Sequence, residues 1–180
     1  MAAAVCLDLR LSRSQRLALG DLDDSKRVSA EVRARLAAAI LEVAEQVVVV
    51  VASPRTIDRD GLHVTNLALL RRALAGLTSS PERCLVDGFR LGEQAPPHRA
   101  VVGGDRRSAA IAAASIMAKT TRDRLMAGPA ADAYPAFGFD RHVGYATPQH
   151  HEALRASGLS PLHRRSFQSA AYAGSQAAAM

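Results

Sequence analysis

Apolar and amphipathic stretches alternate along this chain. Residues 2–9 form a short apolar run suited to a strand, and residues 12–22 read as a polar connection. Ser29 is placed to cap a helix over residues 30–45, whose leucines, isoleucine and alanines fall along one side. Residues 47–51 are consecutive valines, and such a β-branched run without polar alternation predicts a strand buried on both faces. Ser53 and Pro54 break that run, and a second amphipathic helix is expected over residues 60–77. Residues 83–86 make another strand ending at Asp87 and Gly88, and residues 100–102 a further short one. A long alanine-rich helix follows over residues 106–126, and Pro148 opens a shorter helix that ends near Gly158. The alternation predicts one α/β domain over residues 1–168, with an alanine-rich polar tail over 169–180 expected to be frayed.

Composition narrows the class. At 180 residues, 48% hydrophobic and 22% charged, the chain has the make-up of an ordinary globular domain able to bury a real core. No apolar run is long enough to span a bilayer, and the amino terminus carries no basic region ahead of an apolar stretch, so a cytoplasmic protein without a leader is the expectation. Cys6 and Cys84 are too few and too unpatterned for a disulfide scaffold or a zinc site and read as small core residues. Net charge of +6 favours a polyanionic partner, with nucleic acid the first candidate and a merely well-solvated surface the alternative of similar weight. Arginine dominates the 23 basic residues, and the lysines, Lys26 and Lys119, both lie in motifs that carry the candidate chemistry.

Two acids stand out. Asp87 closes a hydrophobic strand, where ligands collect in α/β sheets, and Gly88 lets the backbone turn away; on these residues alone a simple Asp-Gly turn is the stronger reading. Ser115, Lys119 and Asp123 recur at intervals of four and so share one stripe of the long helix. A Lys119–Asp123 ion pair on a solvated face is the plain alternative to a functional stripe.

The ordered blocks LDDSK (residues 22–26), LVDG (85–88), Gly104-Asp105 with Ser108, AAASIMAKTTRDR (112–124), YPAFGFDRHVGYAT (134–147) and HRRSF (163–167) closely resemble bacterial ribonuclease HII. The resemblance runs over nearly the whole chain. It implies a ribonuclease H-like fold, a mixed sheet flanked by helices, and an endonuclease that cuts the RNA strand of RNA–DNA hybrids, including single ribonucleotides embedded in duplex DNA. It implies two-metal phosphodiester hydrolysis with Mg²⁺ or Mn²⁺ held by carboxylates, because these ions take hard oxygen ligands. Asp87 and Asp123 match two of the family's four site acids, Asp87 as a direct ligand and Asp123 as a holder of the second metal or its water.

The same resemblance implies substrate contacts. Tyr145 matches the aromatic residue that stacks beside the RNA–DNA junction, with a core tyrosine as the competing reading. Lys26 matches a phosphate contact, Lys119 a second one or a residue orienting Asp123, and Arg164 and Arg165 backbone contacts or a solvated basic tail. The histidines at 142, 150, 151 and 163 invite a zinc site, which is discounted because adjacent His150 and His151 leave a helix on different sides and no cysteine accompanies them. The implied partners are hybrid duplex and ribonucleotide-containing DNA, with no membrane and a monomeric state.

Departures from the family pattern carry their own expectation. Family members begin with a strand bearing an Asp-Glu pair, then a Gly-Arg-Gly loop and a Gly-Pro, ahead of an apolar strand that residues 1–9 resemble. The pair would supply the other two metal-site acids, and the loop would read the ribose 2′-hydroxyl. In the implied fold that first strand is central to a five-stranded sheet, between the strand at residues 2–9 and the one ending at Asp87. Its loss is expected to leave the 180-residue chain inactive and poorly stable, since unpaired buried backbone groups cost about 1–3 kcal/mol each against a total stability of about 5–15 kcal/mol. Three readings follow: an active enzyme whose start lies upstream of Met1, a truncated nucleic-acid-binding module without catalysis, or a decaying remnant. Val143, where the family commonly has lysine, should only weaken a phosphate contact.

Overall fold

The computed structural model describes residues 1–8, 10–79 and 81–167, so the expected tail lies outside the described residues. In chain order the regular elements are β1 (Ala2–Leu7), α1 (Arg13–Ala18), α2 (Ala30–Val43), β2 (Ala44–Val50), α3 (Pro54–Asp60), α4 (Leu62–Ala75), β3 (Leu85–Asp87), β4 (Arg99–Val101), α5 (Ala109–Leu125), α6 (Ala131–Ala133), α7 (Phe139–His142) and α8 (Pro148–Ser157). They form two compact units. The first comprises Met1–Val51 and Asn66–Thr120, the second Ala52–Thr65 and the described residues from Thr121 onward.

In the first unit the valine run pairs antiparallel with the N-terminal apolar strand, Ala2 opposite Val50 and Val5 opposite Val47, with a register shift between Cys6 and Leu7. Small alanines facing β-branched valines suit a closely packed pleat. The expected burial of the valines on both faces is not what forms: residues 47–50 are half-buried and Val51 is exposed. Among the described residues β2 pairs with β1 alone, which leaves its other edge without a strand. Strand β3 pairs parallel with β4, Asp87 opposite Val101. The described strands thus make two separate two-stranded sheets rather than one five-stranded sheet.

Helices supply the core around them. Leu36 and Ile40 of α2 are fully buried against Ala113, Ile116 and Met117 of α5, with Val5 of β1 and Leu19 completing the cluster. Each such aliphatic side chain contributes about 1.5–3 kcal/mol by leaving water. The alanines of α5 let the helices approach closely. A second cluster joins Leu74 of α4 to Val86 of β3 and Leu91.

Three local readings are corrected. Residues 12–22 contain helix α1, begun by a reciprocal capping box in which Ser12 accepts the Gln15 N–H and Gln15 accepts the Ser12 N–H. Ser53 and Pro54 do more than end β2; Ser53 caps α3 by accepting the Thr56 N–H, and Pro54 occupies the first helical turn, where its missing N–H costs nothing. The long helix starts at Ala109 rather than 106, after a 3₁₀ turn over Gly104–Arg106. Ser29 caps α2 as expected, accepting the Val32 N–H.

The second unit is built around aromatic residues. Ala130, Phe137, Phe139 and Leu154 form its core, with the Phe137 and Phe139 rings stacked 5.4 Å apart. Asp58 of α3 fastens the HRRSF segment, accepting the Arg165 and Ser166 N–H groups at 3.0 and 2.9 Å and the Ser166 hydroxyl at 2.6 Å. These hydrogen bonds, the Ser166 hydroxyl first, hold the Asp58 carboxyl below its ordinary range.

Candidate functional site

Asp87 ends β3 at the point where the chain turns. Gly88 takes φ +72°, a left-handed conformation that glycine adopts without strain, and its N–H donates to the Val101 carbonyl at 2.9 Å. The Asp87 carboxylate is half-buried and accepts the Gly104 N–H through Oδ1 at 2.9 Å. Gly104 is therefore more than a turn residue. A Cβ there would lie 2.5 Å from Ile111 Cδ1 and 3.2 Å from Asp87 Oδ1. Gly104→Ala is expected to lower stability by about 1–3 kcal/mol through overpacking and to push the Asp87 carboxylate aside. A urea midpoint equal to that of the unsubstituted chain would show that Ile111 yields freely.

Asp123 belongs to the second unit. Its Oδ1 accepts from Arg122 Nη1 at 3.0 Å, and the same guanidinium lies over the Tyr145 ring with its carbon 5.4 Å from the centroid. Arg122 thus ties together an acid and an aromatic residue that the sequence blocks single out separately. Tyr145 is 55% exposed, which rules out the core-tyrosine reading. Gly144 makes room for this arrangement, since a Cβ there would meet Met126 Cε at 3.3 Å and Arg122 Nη2 at 3.4 Å. Arg122 was legible only as part of the RD pair; nothing in its spacing points to the ring.

The remaining candidates are more dispersed. Lys26 sits in an exposed turn of the first unit, where its N–H donates to Asp24 Oδ1 at 3.0 Å. Lys119 is half-buried on α5, four residues before Asp123. Arg164 stacks over the Phe167 ring at 4.6 Å, while Arg165 is exposed.

The histidines come together in a way their spacing does not announce. His142, His150 and His163 are all buried in the second unit, His142 and His150 stacked 4.6 Å apart and His150 Nε2 lying 3.0 Å from His163 Nε2. Their remaining ring nitrogens meet Phe137 O, Gly144 N, Tyr145 O and Ser160. Among the described residues no three His, Cys, Asp or Glu side chains are grouped so as to hold a metal ion.

Burial pushes the His163 imidazole down to about 4, with the His150 ring adding to the effect, and burial also lowers His150. A folded-state value below the ordinary 6.5 means that the unfolded chain binds the proton more readily. This contribution to stability is complete above about pH 6.5 and is lost as pH falls through about 4. The loss is expected to reach the order of 3 kcal/mol, read as a lower urea midpoint at pH 4.5 than at pH 7.5. An equal midpoint at the two pH values would show that the rings titrate normally.

The model of the ribonuclease HII family matches residues 1–170. The chain belongs to the ribonuclease HII family. Ribonuclease HII of Mycobacterium avium (strain 104) is 47% identical over 149 residues, 83% of this chain and 64% of that protein. Ribonuclease HII of Mycobacteroides abscessus (strain ATCC 19977) is 42% identical over 167 residues, 93% of this chain and 70% of its own length. The chain therefore spans under two thirds of the Mycobacterium avium protein. Among solved structures, the ribonuclease H2 of Pyrococcus horikoshii OT3 matches with a TM-score of 0.76 at 20% identity, covering 98% of this chain and 93% of that one. That likeness establishes the ribonuclease H2 fold, in the mixed α/β class expected for ribonuclease HII. No helix among the described residues is long and apolar enough to cross a membrane.

Proposed function

We propose that this protein is an endoribonuclease that cuts the RNA strand of RNA–DNA hybrids, including single ribonucleotides within duplex DNA. The observation that carries the reading is the Arg122 bridge, which sets an acidic side chain, Asp123, beside an aromatic residue at the surface, Tyr145. An acid for the phosphodiester chemistry and a ring for the adjoining base are what such a cut requires at neighbouring positions. The net charge of +6 supports a polyanionic substrate.

Carboxylate oxygens are the hard donors that Mg²⁺ and Mn²⁺ prefer, so the donor chemistry of Asp87 and Asp123 fits such ions. When bound, the ions supply an activated water and stabilise the leaving oxygen. Asp87 is kept in place for a ligand's role by the Gly104 N–H, which engages one carboxylate oxygen. Arg122 steadies Asp123 and offsets its charge. Lys26, Lys119 and Arg164 are assigned to phosphates, with Arg164 leaving its stack on Phe167 to do so.

The ligand number is short, because Asp87 and Asp123 are half of the four acids that the family resemblance implies. The 180-residue chain by itself is accordingly proposed to bind duplex without cutting it. With a duplex holding one ribonucleotide and either Mn²⁺ or Mg²⁺, the purified chain should bind with an affinity that falls as salt rises. Cleavage should appear when a leading strand bearing an Asp-Glu pair and a Gly-Arg-Gly loop is joined ahead of Met1. Failure of the extended form to cut with either ion would overturn the enzyme reading in favour of a non-catalytic binding module. Full cleavage by the 180-residue chain would overturn the ligand count.

A further inference from the structure

The turn that presents Tyr145 is an unfavourable one. Val143 has φ +45° and Gly144 φ +80°, and a β-branched residue in the left-handed region is sterically strained. Something must hold this turn in place. The Tyr145 N–H donates to the His142 carbonyl at 2.9 Å, and the Tyr145 carbonyl accepts the Thr147 N–H at 2.8 Å. Besides Arg122 over the ring, a contact to the backbone of the turn comes from His150, whose Nδ1 lies 2.9 Å from the same carbonyl.

Backbone donors fix how the protons lie along the histidine chain. The Ser160 N–H points at His163 Nδ1 at 3.0 Å, so that nitrogen is an acceptor and the neutral ring carries its proton on Nε2. His163 Nε2–H then donates to His150 Nε2 at 3.0 Å. His150 is left with its proton on Nδ1, the atom facing the Tyr145 carbonyl. The order Ser160 to His163 to His150 to Tyr145 is thus directional, each donor setting the next. By the same logic the Gly144 N–H makes His142 Nδ1 an acceptor, and His142 Nε2–H donates to Phe137 O at 2.8 Å.

We propose that His150 is a positioning residue for Tyr145: held in its Nδ1–H tautomer by His163 and Ser160, it anchors the strained turn and so sets where the exposed phenol ring meets nucleic acid. Resting on the assignment of Tyr145 as the base-stacking ring, it adds a role for buried histidines that touch no substrate themselves. Helix α8 makes the geometry possible. Thr147 caps it by accepting the His150 N–H at 3.2 Å, which places His150 in the first turn, facing back toward residue 145.

The test compares two substitutions in the full chain. His150→Asn puts an amide nitrogen near the Nδ1 position and keeps a donor for the Tyr145 carbonyl; His150→Gln puts its amide near Nε2, where the Oε1 accepts the His163 Nε2–H, and leaves the Tyr145 carbonyl without that donor. Glutamine retains more apolar bulk, so a role confined to packing makes asparagine the more damaging change. Positioning predicts the reverse order. In His150→Gln the Tyr145 amide and ring resonances should move, and affinity for a duplex with one ribonucleotide should fall about tenfold, the scale of one lost base–aromatic stack. His150→Asn should leave the resonances close to those of the unsubstituted chain and affinity within about twofold.

Long-range ¹H–¹⁵N spectra of the unsubstituted chain at neutral pH should find His150 protonated on Nδ1 and His163 on Nε2. An Nε2–H tautomer at His150, or Tyr145 resonances moved as far by asparagine as by glutamine, would overturn the inference. Tyr145→Ala separates it from the assignment it rests on. If that variant binds the duplex unchanged, the stacking role fails, and the tautomer and resonance measurements, made without nucleic acid, still decide whether His150 positions the turn.

Discussion

Asp87→Asn is expected to cut hybrid cleavage by at least about 100-fold in a form of the protein that cleaves, a loss of roughly 2.7 kcal/mol in transition-state stabilisation. Duplex affinity should stay near that of the unsubstituted protein. The argument rests on the separate uses of the carboxylate. Asparagine keeps a carbonyl oxygen to accept the Gly104 N–H, so the end of β3 and the 3₁₀ turn that follows β4 retain their link. What it lacks is negative charge and a second hard oxygen, which the proposed metal role requires. Asp87→Ala removes the Gly104 bond as well and should add a stability loss of about 1–3 kcal/mol from the unsatisfied buried N–H. Cleavage rates at saturating Mn²⁺ and Mg²⁺, with urea midpoints for both variants, separate the effects. Undiminished cleavage by the asparagine variant would end the ligand assignment.

Phe139→Ala should produce the largest loss of stability, about 3–5 kcal/mol. The ring is 1% exposed and lies 5.4 Å from Phe137, 5.7 Å from His150 and 5.8 Å from His163, so one truncation opens a cavity against the aromatic core and the histidine chain. Water reaching that cavity would solvate His150 and His163, relieving the burial that lowers their affinity for protons. The variant should therefore be less stable at neutral pH and also lose less stability on acidification. Urea midpoints at pH 7.5 and 4.5 test both. A loss below about 1 kcal/mol would mean that the surrounding rings collapse onto the space.

Much of the local structure is legible in the sequence, for identifiable reasons. Ser29 and Thr147 are side-chain caps that act within a few residues, and the strand end at Asp87-Gly88 carries a turn signal in two adjacent letters. The misreadings show how local signals compete. The serine at 12 and glutamine at 15 spell a capping box, but the polar composition around them hid the helix they start. Ser53-Pro54 ends a strand and begins a helix with the same two residues. The valine run specifies a strand, yet burial depends on what lies beside it, and pairing across residues 2–50 is not written in the run itself.

At the candidate site the four-residue spacing on α5 directs attention to Lys119 beside Asp123; Arg122, the neighbour of Asp123 in sequence, supplies a direct bond and reaches Tyr145 as well, which the spacing does not show. Arginine's long planar head lets adjacent residues meet in a way helical periodicity does not anticipate. The histidines fail for the opposite reason. Their clustering in sequence suggests a metal, whereas their actual partners are backbone groups and one another, which leave no trace in spacing.

The Asp58 contact with Ser166 sets a schedule for the ribosome. Residues 108 apart in sequence must meet before α3 has its partner, and the stretch from 66 to 120 that separates the pieces belongs to the other unit. A nascent chain can complete that other unit while α3 waits, with its acidic side chain unfilled, for the HRRSF segment to emerge. At about 5–20 residues per second the wait lasts seconds.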